Sequence, residues 1–131
     1  KLGFTIGCKS LGFGVVIPHY GTIVIGPSNR IGNFAVLHTS ICITDHGSTI
    51  GDSFYCSTGV RIVKNIKIGS GVTIGANSVV RSIENYPMNV MIAGIPALVK
   101  NVSKPWFERD GEVYRERVSK VLDLKAKMGI V

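Results

Sequence analysis

Apolar residues return every six positions along most of this chain, and no ordinary secondary structure has that period. They stand at Ile25, Ile31, Leu37 and Ile43, and after one extra residue at Ile50, Cys56, Ile62, Ile68, Ile74 and Val80. A helix repeats near 3.6 residues and a strand every two, so neither alone holds this phase. The position after each anchor is glycine five times in ten: Gly26, Gly32, Gly51, Gly69 and Gly75. Small or β-branched residues recur four places after the anchors, among them Ala35, Ile41, Val60, Ile66 and Val72. The pattern predicts an all-β solenoid in which each hexad is a short strand plus a turn. The anchor points into the bore, and the glycine marks a turn with little room for a Cβ. One rung cannot bury its apolar face alone, so rungs must stack. A glycine-rich β-sandwich also has many short strands, but nothing in it holds phase over ten hexads.

The phase breaks in two places. Leu11, Ile17 and Ile23 also run in sixes, but eight residues separate Ile17 from Ile25, with Pro18-His19-Tyr20-Gly21-Thr22 between them. Ile43 to Ile50 holds one extra residue within Thr44-Asp45-His46-Gly47-Ser48-Thr49. Breaks in a solenoid map to loops and corners, where function concentrates. Two of the three histidines, His19 and His46, lie in them. A neutral imidazole is a suitable general base near neutral pH. The third, His38, follows the anchor Leu37 and is expected at a corner, lining the edge of a site or serving structure. The pattern changes after Glu84, and Tyr86-Pro87 and Gly94-Ile95-Pro96 mark turns. Asp110-Gly111 marks the start of a helix over about 112–128, with Tyr114, Val118, Val121, Lys125 and Met128 on one face. Two parts are expected: a solenoid over 1–100 and an extension over 101–131. The helix is expected to pack on the solenoid or on a neighbouring subunit; lying on a membrane surface is the alternative.

The segment His19-Tyr20-Gly21-Thr22-Ile23-Val24-Ile25-Gly26 resembles the stretch of serine O-acetyltransferases that carries the catalytic histidine. Acetyltransferases associated with polysaccharide clusters share the motif. Together with the repeat, the chain resembles the hexapeptide-repeat acyltransferases over roughly residues 11–100. That resemblance implies a left-handed parallel β-helix with three hexads per coil, an exception to the usual right-handed crossover. It implies acetyl transfer from acetyl-CoA to a hydroxyl by direct attack, with His19 as general base and His46 in the position of the family's second histidine. L-serine is the implied acceptor, and a sugar hydroxyl is the alternative. Tyr20, His38 and Asp45 stand where the acceptor would bind. The stretches Ile74–Val80 and Ala93–Ala97 look like the family's coenzyme A coil and closing turn. By that resemblance Thr58 and Ala76 line the pantetheine arm between two subunits of a homotrimer, with Ile95 and Pro96 at the turn and Lys100 facing a phosphate.

The chain departs from the family pattern at specific positions. The aspartate that orients the catalytic histidine is replaced by Phe4 or Thr5, and a second aspartate by Pro18. An arginine beside the second histidine, expected to hold the serine carboxylate, has Asp45 nearby instead. The serine enzymes' N-terminal helical domain is not expected here. These changes touch the acceptor more than the transfer chemistry. Two other classes stand beside the transferase. A γ-carbonic-anhydrase-like metalloenzyme needs three converging histidines, and spacings of nineteen and eight do not match that family's closely paired ligands, so no metal is expected. A non-catalytic β-helix scaffold would bind no coenzyme A.

Charge and cysteine usage narrow the partners. Fifteen Lys and Arg face eight Asp and Glu, a formal charge of +7, spread along the chain rather than gathered in an arm. That disfavours nucleic acid and suits a polyanionic co-substrate such as coenzyme A. Cys8, Cys42 and Cys56 show no CxxC spacing and read as free thiols of a reducing, cytoplasmic compartment. The longest apolar stretch, Val90–Val99, is interrupted by Gly94 and Pro96 and is too short to span a bilayer. No charged stretch leading into an apolar run opens the sequence, so no signal peptide is expected.

Overall fold

The computed structural model describes residues 3–129. Five coils stack into a prism with three faces, each face a parallel sheet. The first coil contributes β1 (Phe4–Ile6) and two single-residue bridges at Leu11 and Val16. The second holds β2 (Ile23–Ile25), β3 (Arg30–Ile31) and β4 (Val36–Leu37). The third holds β5 (Ile41–Ile43), β6 (Thr49–Ile50) and β7 (Tyr55–Cys56). The fourth holds β8 (Arg61–Ile62), β9 (Lys67–Ile68) and β10 (Thr73–Ile74). The fifth holds β11 (Val79–Val80), β12 (Asn85–Tyr86) and β13 (Val90–Gly94). β14 (Ala97–Val102) folds back antiparallel to β13 and caps the third face. The stack is a left-handed parallel β-helix.

Register explains the six-residue pattern. Ile6, Ile25, Ile43, Ile62 and Val80 stack up the first face. Ile31, Ile50, Ile68 and Tyr86 do so on the second, and Leu37, Cys56, Ile74 and Ile92 on the third. These anchors are buried from Ile25 upward and form one continuous core. The repeat runs further than its sequence signal, because Tyr86 and Ile92 keep the spacing beyond Glu84. An aromatic anchor disguises the phase there; the Tyr86 hydroxyl reaches the capping hairpin and donates to the Ala97 carbonyl at 2.7 Å.

The glycines after the anchors serve close approach, not unusual backbone angles. None of Gly26, Gly32, Gly51, Gly69 or Gly75 has a left-handed φ. A Cβ on Gly32 would lie 2.8 Å from the Gly51 carbonyl carbon in the coil above, closer than carbon atoms pack. Left-handed residues instead stand three places after the anchors, at Phe34, Ser40, Ser53 and Asn77 as well as at Gly59 and Gly71.

Each coil turns three corners, named here the opening edge (first to second face), the middle edge (second to third) and the closing edge (third to next first). After β14 the chain descends the middle edge. Ser103 N donates to the Asn89 carbonyl in the fifth coil. Trp106, in the short α1 (Trp106–Arg109), donates through Nε1 to the Phe34 carbonyl in the second coil at 2.8 Å and is buried. α2 (Glu112–Lys127) then runs beside the lower coils: Tyr114, Val118 and Val121 line a cavity of about 410 Å³ together with Val15, Val16 and Phe34, and Lys125 lies 4.5 Å above the Phe13 ring. Met128 points away and is exposed. Asp110 does not cap α2 but pairs with Arg109 at 2.8 Å. No helix among the described residues is long and apolar enough to cross a membrane.

Candidate active site

The register gathers most of the predicted site residues along the closing edge. His19 and Tyr20 occupy it below β2, His38 below β5, Thr58 below β8, Ala76 below β11, and Ile95-Pro96 at the last turn. Hydrogen bonds tie the coils together here. Thr58 Oγ1 donates to the Thr39 carbonyl at 2.8 Å, and Asn77 N to the Thr58 carbonyl at 2.9 Å. Gly59 N donates to the Thr39 carbonyl, and Gly94 N to Ser78 Oγ at 3.2 Å. Thr58 and Ala76 are exposed with their side chains small, so the edge forms a shallow track of backbone from His19 to Pro96. An extended chain of amides and methylenes can lie against such a surface.

His19 and His38 form a pair at the lower end of the track, their ring centroids 6.4 Å apart. His19 is exposed. His38 is half-buried, and its Nε2 lies 2.9 Å from the Tyr55 hydroxyl. Burial, then the neighbouring His19, pushes the His38 imidazole below its ordinary range. The exposed ring, His19, is the one an incoming hydroxyl can reach. Tyr20 is 83% exposed and available to a ligand. No carboxylate hydrogen-bonds His19 among the described residues. Phe4 and Thr5 lie beside Ile23 and Val24 on the first face, Phe4 packed on the core and Thr5 outward.

His46 and Asp45 occupy the opening edge of the third coil, so within one chain the whole first face separates them from His19. His46 is exposed, its Nδ1 2.7 Å from Thr44 Oγ1, which leaves Nε2 for a ligand. Asp45 Oδ1 accepts from Ser28 N at 2.7 Å and from Ser28 Oγ. Those two bonds, the side-chain one foremost, hold the Asp45 carboxyl below its usual range. Its engaged oxygen therefore clamps two coils together. Lys100 is the unpaired residue of a β-bulge between the pairs Met91–Asn101 and Ile92–Val99. Four residues of extended chain put it about 13 Å beyond Pro96, outside the track proper.

Two contributors at the histidine pair escape a motif search. Tyr55 precedes the anchor Cys56 and faces outward on the third face; its only sequence signal is an aromatic in a stripe otherwise filled by Val36, Thr73 and Met91. Arg109 comes from the C-terminal segment. Its guanidinium lies 4.8 Å from the Tyr55 ring centroid and donates to Thr73 Oγ1 at 3.0 Å. Fifty-four positions separate it from Tyr55, and nothing local predicts the contact. The described residues hold no group of three His, Cys, Asp or Glu placed to share a metal ion.

Comparison with known proteins points one way. The chain is 31% identical over 113 residues to a serine acetyltransferase of Buchnera aphidicola subsp. Schizaphis graminum, covering 77% of this chain and 42% of that protein. The serine acetyltransferase structure from Neisseria gonorrhoeae superposes with a TM-score of 0.69 at 28% identity, over 85% of this chain and 46% of that one. A serine acetyltransferase solved in complex with CoA gives a TM-score of 0.63 at 29% identity, over 70% of this chain and 39% of that one. The chain thus spans about two fifths of the curated relatives it matches. No protein-family model matches it.

Proposed function

The chain belongs to the hexapeptide-repeat acyltransferases, on their serine acetyltransferase side, and from that premise we propose that it transfers acetyl from acetyl-CoA to a hydroxyl acceptor, L-serine first. One observation carries the reading: the histidine of the transferase-like motif stands at the end of the small-residue track formed by Thr58, Ala76 and Ile95-Pro96. Pantetheine lies along that track with its sulfur toward His19, and Lys100 faces the phosphate end. The acceptor hydroxyl gives its proton to neutral His19 as its oxygen attacks the thioester carbonyl. The tetrahedral intermediate then breaks its C–S bond, and the leaving thiolate takes the proton from the imidazolium. Backbone N–H groups at the coil corner stabilise the oxyanion, the kind of preorganised donor that contributes most to acyl transfer.

The site is completed by a homotrimer. The outward stripe of the first face runs Thr5, Val24, Cys42, Arg61 and Val79; its three apolar members are half-buried even in one chain, and Arg61 is the one charge among them. Burying it against a neighbour brings that neighbour's opening edge, with His46 and Asp45, toward His19. A sugar acceptor is the second reading, favoured by Asp45, whose negative charge cannot hold a serine carboxylate. Release of CoA, followed with a thiol reagent against serine and a panel of sugars, separates the two. The expected result is serine-dependent release; release with sugars alone moves the acceptor, and none with any acceptor, together with no CoA binding by calorimetry, leaves a scaffold.

A further inference from the structure

The C-terminal segment reaches the histidine pair through Tyr55, and we propose that Arg109 and Tyr55 hold His38 as the Nδ1–H tautomer, making it a positioning residue for the acceptor. This rests on the transferase reading above, but its first test does not.

The geometry is a three-member relay. The Arg109 guanidinium sits 4.8 Å from the Tyr55 ring centroid, and Tyr55 Oη sits 2.9 Å from His38 Nε2. Arg109 is itself held from two sides, by Asp110 at 2.8 Å and by Thr73 Oγ1 at 3.0 Å. The guanidinium over its face holds the Tyr55 ring in place, and the hydroxyl's hydrogen-bond partner among the described residues is His38 Nε2. Tyr55 therefore donates its O–H to His38, and Nε2 is the acceptor. A neutral imidazole that accepts at Nε2 carries its proton at Nδ1. Both effects on His38, burial and the neighbouring His19, favour the neutral form that this arrangement needs. His38 then offers one N–H donor in the space it shares with His19. A donor beside a general base orients the acceptor oxygen: the N–H donates to a lone pair of that oxygen while His19 takes the proton.

The titratable and charged groups around His38 are His19, Tyr55 and, behind Tyr55, Arg109 with Asp110. The first test is ¹⁵N NMR of the histidine-labelled full chain near pH 8. The expected spectrum shows the His38 ring protonated at Nδ1, and Tyr55→Phe converts it largely to the Nε2–H form, with Arg109→Met moving it part of the way. An Nε2–H ring in the unmodified chain, or no change on Tyr55→Phe, overturns the proposal whether or not the chain transfers acetyl. The second test uses amide mimics. An asparagine places its N–H₂ near the Nδ1 position and a glutamine near the Nε2 position. His38→Asn is expected to keep kcat within about threefold, while His38→Gln loses about tenfold, the worth of one hydrogen bond. The KM for acetyl-CoA is unchanged in both. A role confined to holding Tyr55 gives the reverse order, which contradicts the proposal. If the unmodified chain releases no CoA, the transferase reading fails, and the NMR result still decides the tautomer.

Discussion

At the residue scale, the proposed transfer rests on His19 and the fold on the post-anchor glycines. General-base catalysis contributes about 10²–10⁴-fold, so His19→Ala should lower kcat by that order while the far-ultraviolet spectrum and the assembly stay the same. An unchanged kcat would remove His19 from the mechanism. Gly32→Ala puts a Cβ against the Asp52 carboxylate, which can turn aside, and 2.8 Å from the Gly51 backbone, which cannot. Overpacking of this kind costs about 1–3 kcal/mol, and thermal melts should show a lowered Tm. Acidification has a direction too. His38 binds its proton less readily when folded, chiefly because it is partly buried. The unfolded chain therefore holds more protons below pH ~6.5, and stability falls as pH drops through that value. Denaturant titrations at pH 7.5 and 5.5 should show the loss in the wild type and a smaller one in His38→Gln.

At the element scale, the C-terminal segment is a strap down the middle edge, held chiefly by Trp106 and Val118. Trp106→Ala removes a buried indole and its bond to the Phe34 carbonyl, a change of about 3–5 kcal/mol. Limited proteolysis should then cleave between Ser103 and Gly111 while the coil stack resists; equal resistance in both proteins would show that α2 docks by other means. This scale also shows what the sequence could and could not tell. Coils two to four were legible because their anchors are β-branched or similar and repeat in phase, from Ile25 to Ile74. The end of the fifth coil was not, because Tyr86 fills an anchor position with an aromatic. The left-handed corners were invisible because their occupants, Phe34, Ser40 and Asn77, share no side-chain chemistry. The histidine motif located His19, but Tyr55 and Arg109 meet only after five coils have stacked and the chain has turned back. Such a contact leaves no local pattern to read.

At the scale of the whole molecule, the small chain gains its core by stacking, and the first face, with Val24, Cys42 and Val79 outward around Arg61, is what a trimer would cover. Val24→Asp places a carboxylate between Thr5 and Cys42 on that stripe. Sedimentation should show a trimer in the wild type and a monomer in the variant, with transfer lost because His46 no longer reaches a neighbour's His19. A fully active monomer would contradict a shared site. The net charge of +7 adds a long-range attraction for a polyanionic co-substrate. The central claim is that the closing edge is the coenzyme A track, and a crystal structure of this chain with CoA tests it most directly. The expected structure shows pantetheine lying past Ala76 and Thr58 with its sulfur beside His19. CoA seated on another edge, or with its sulfur away from His19, would contradict it.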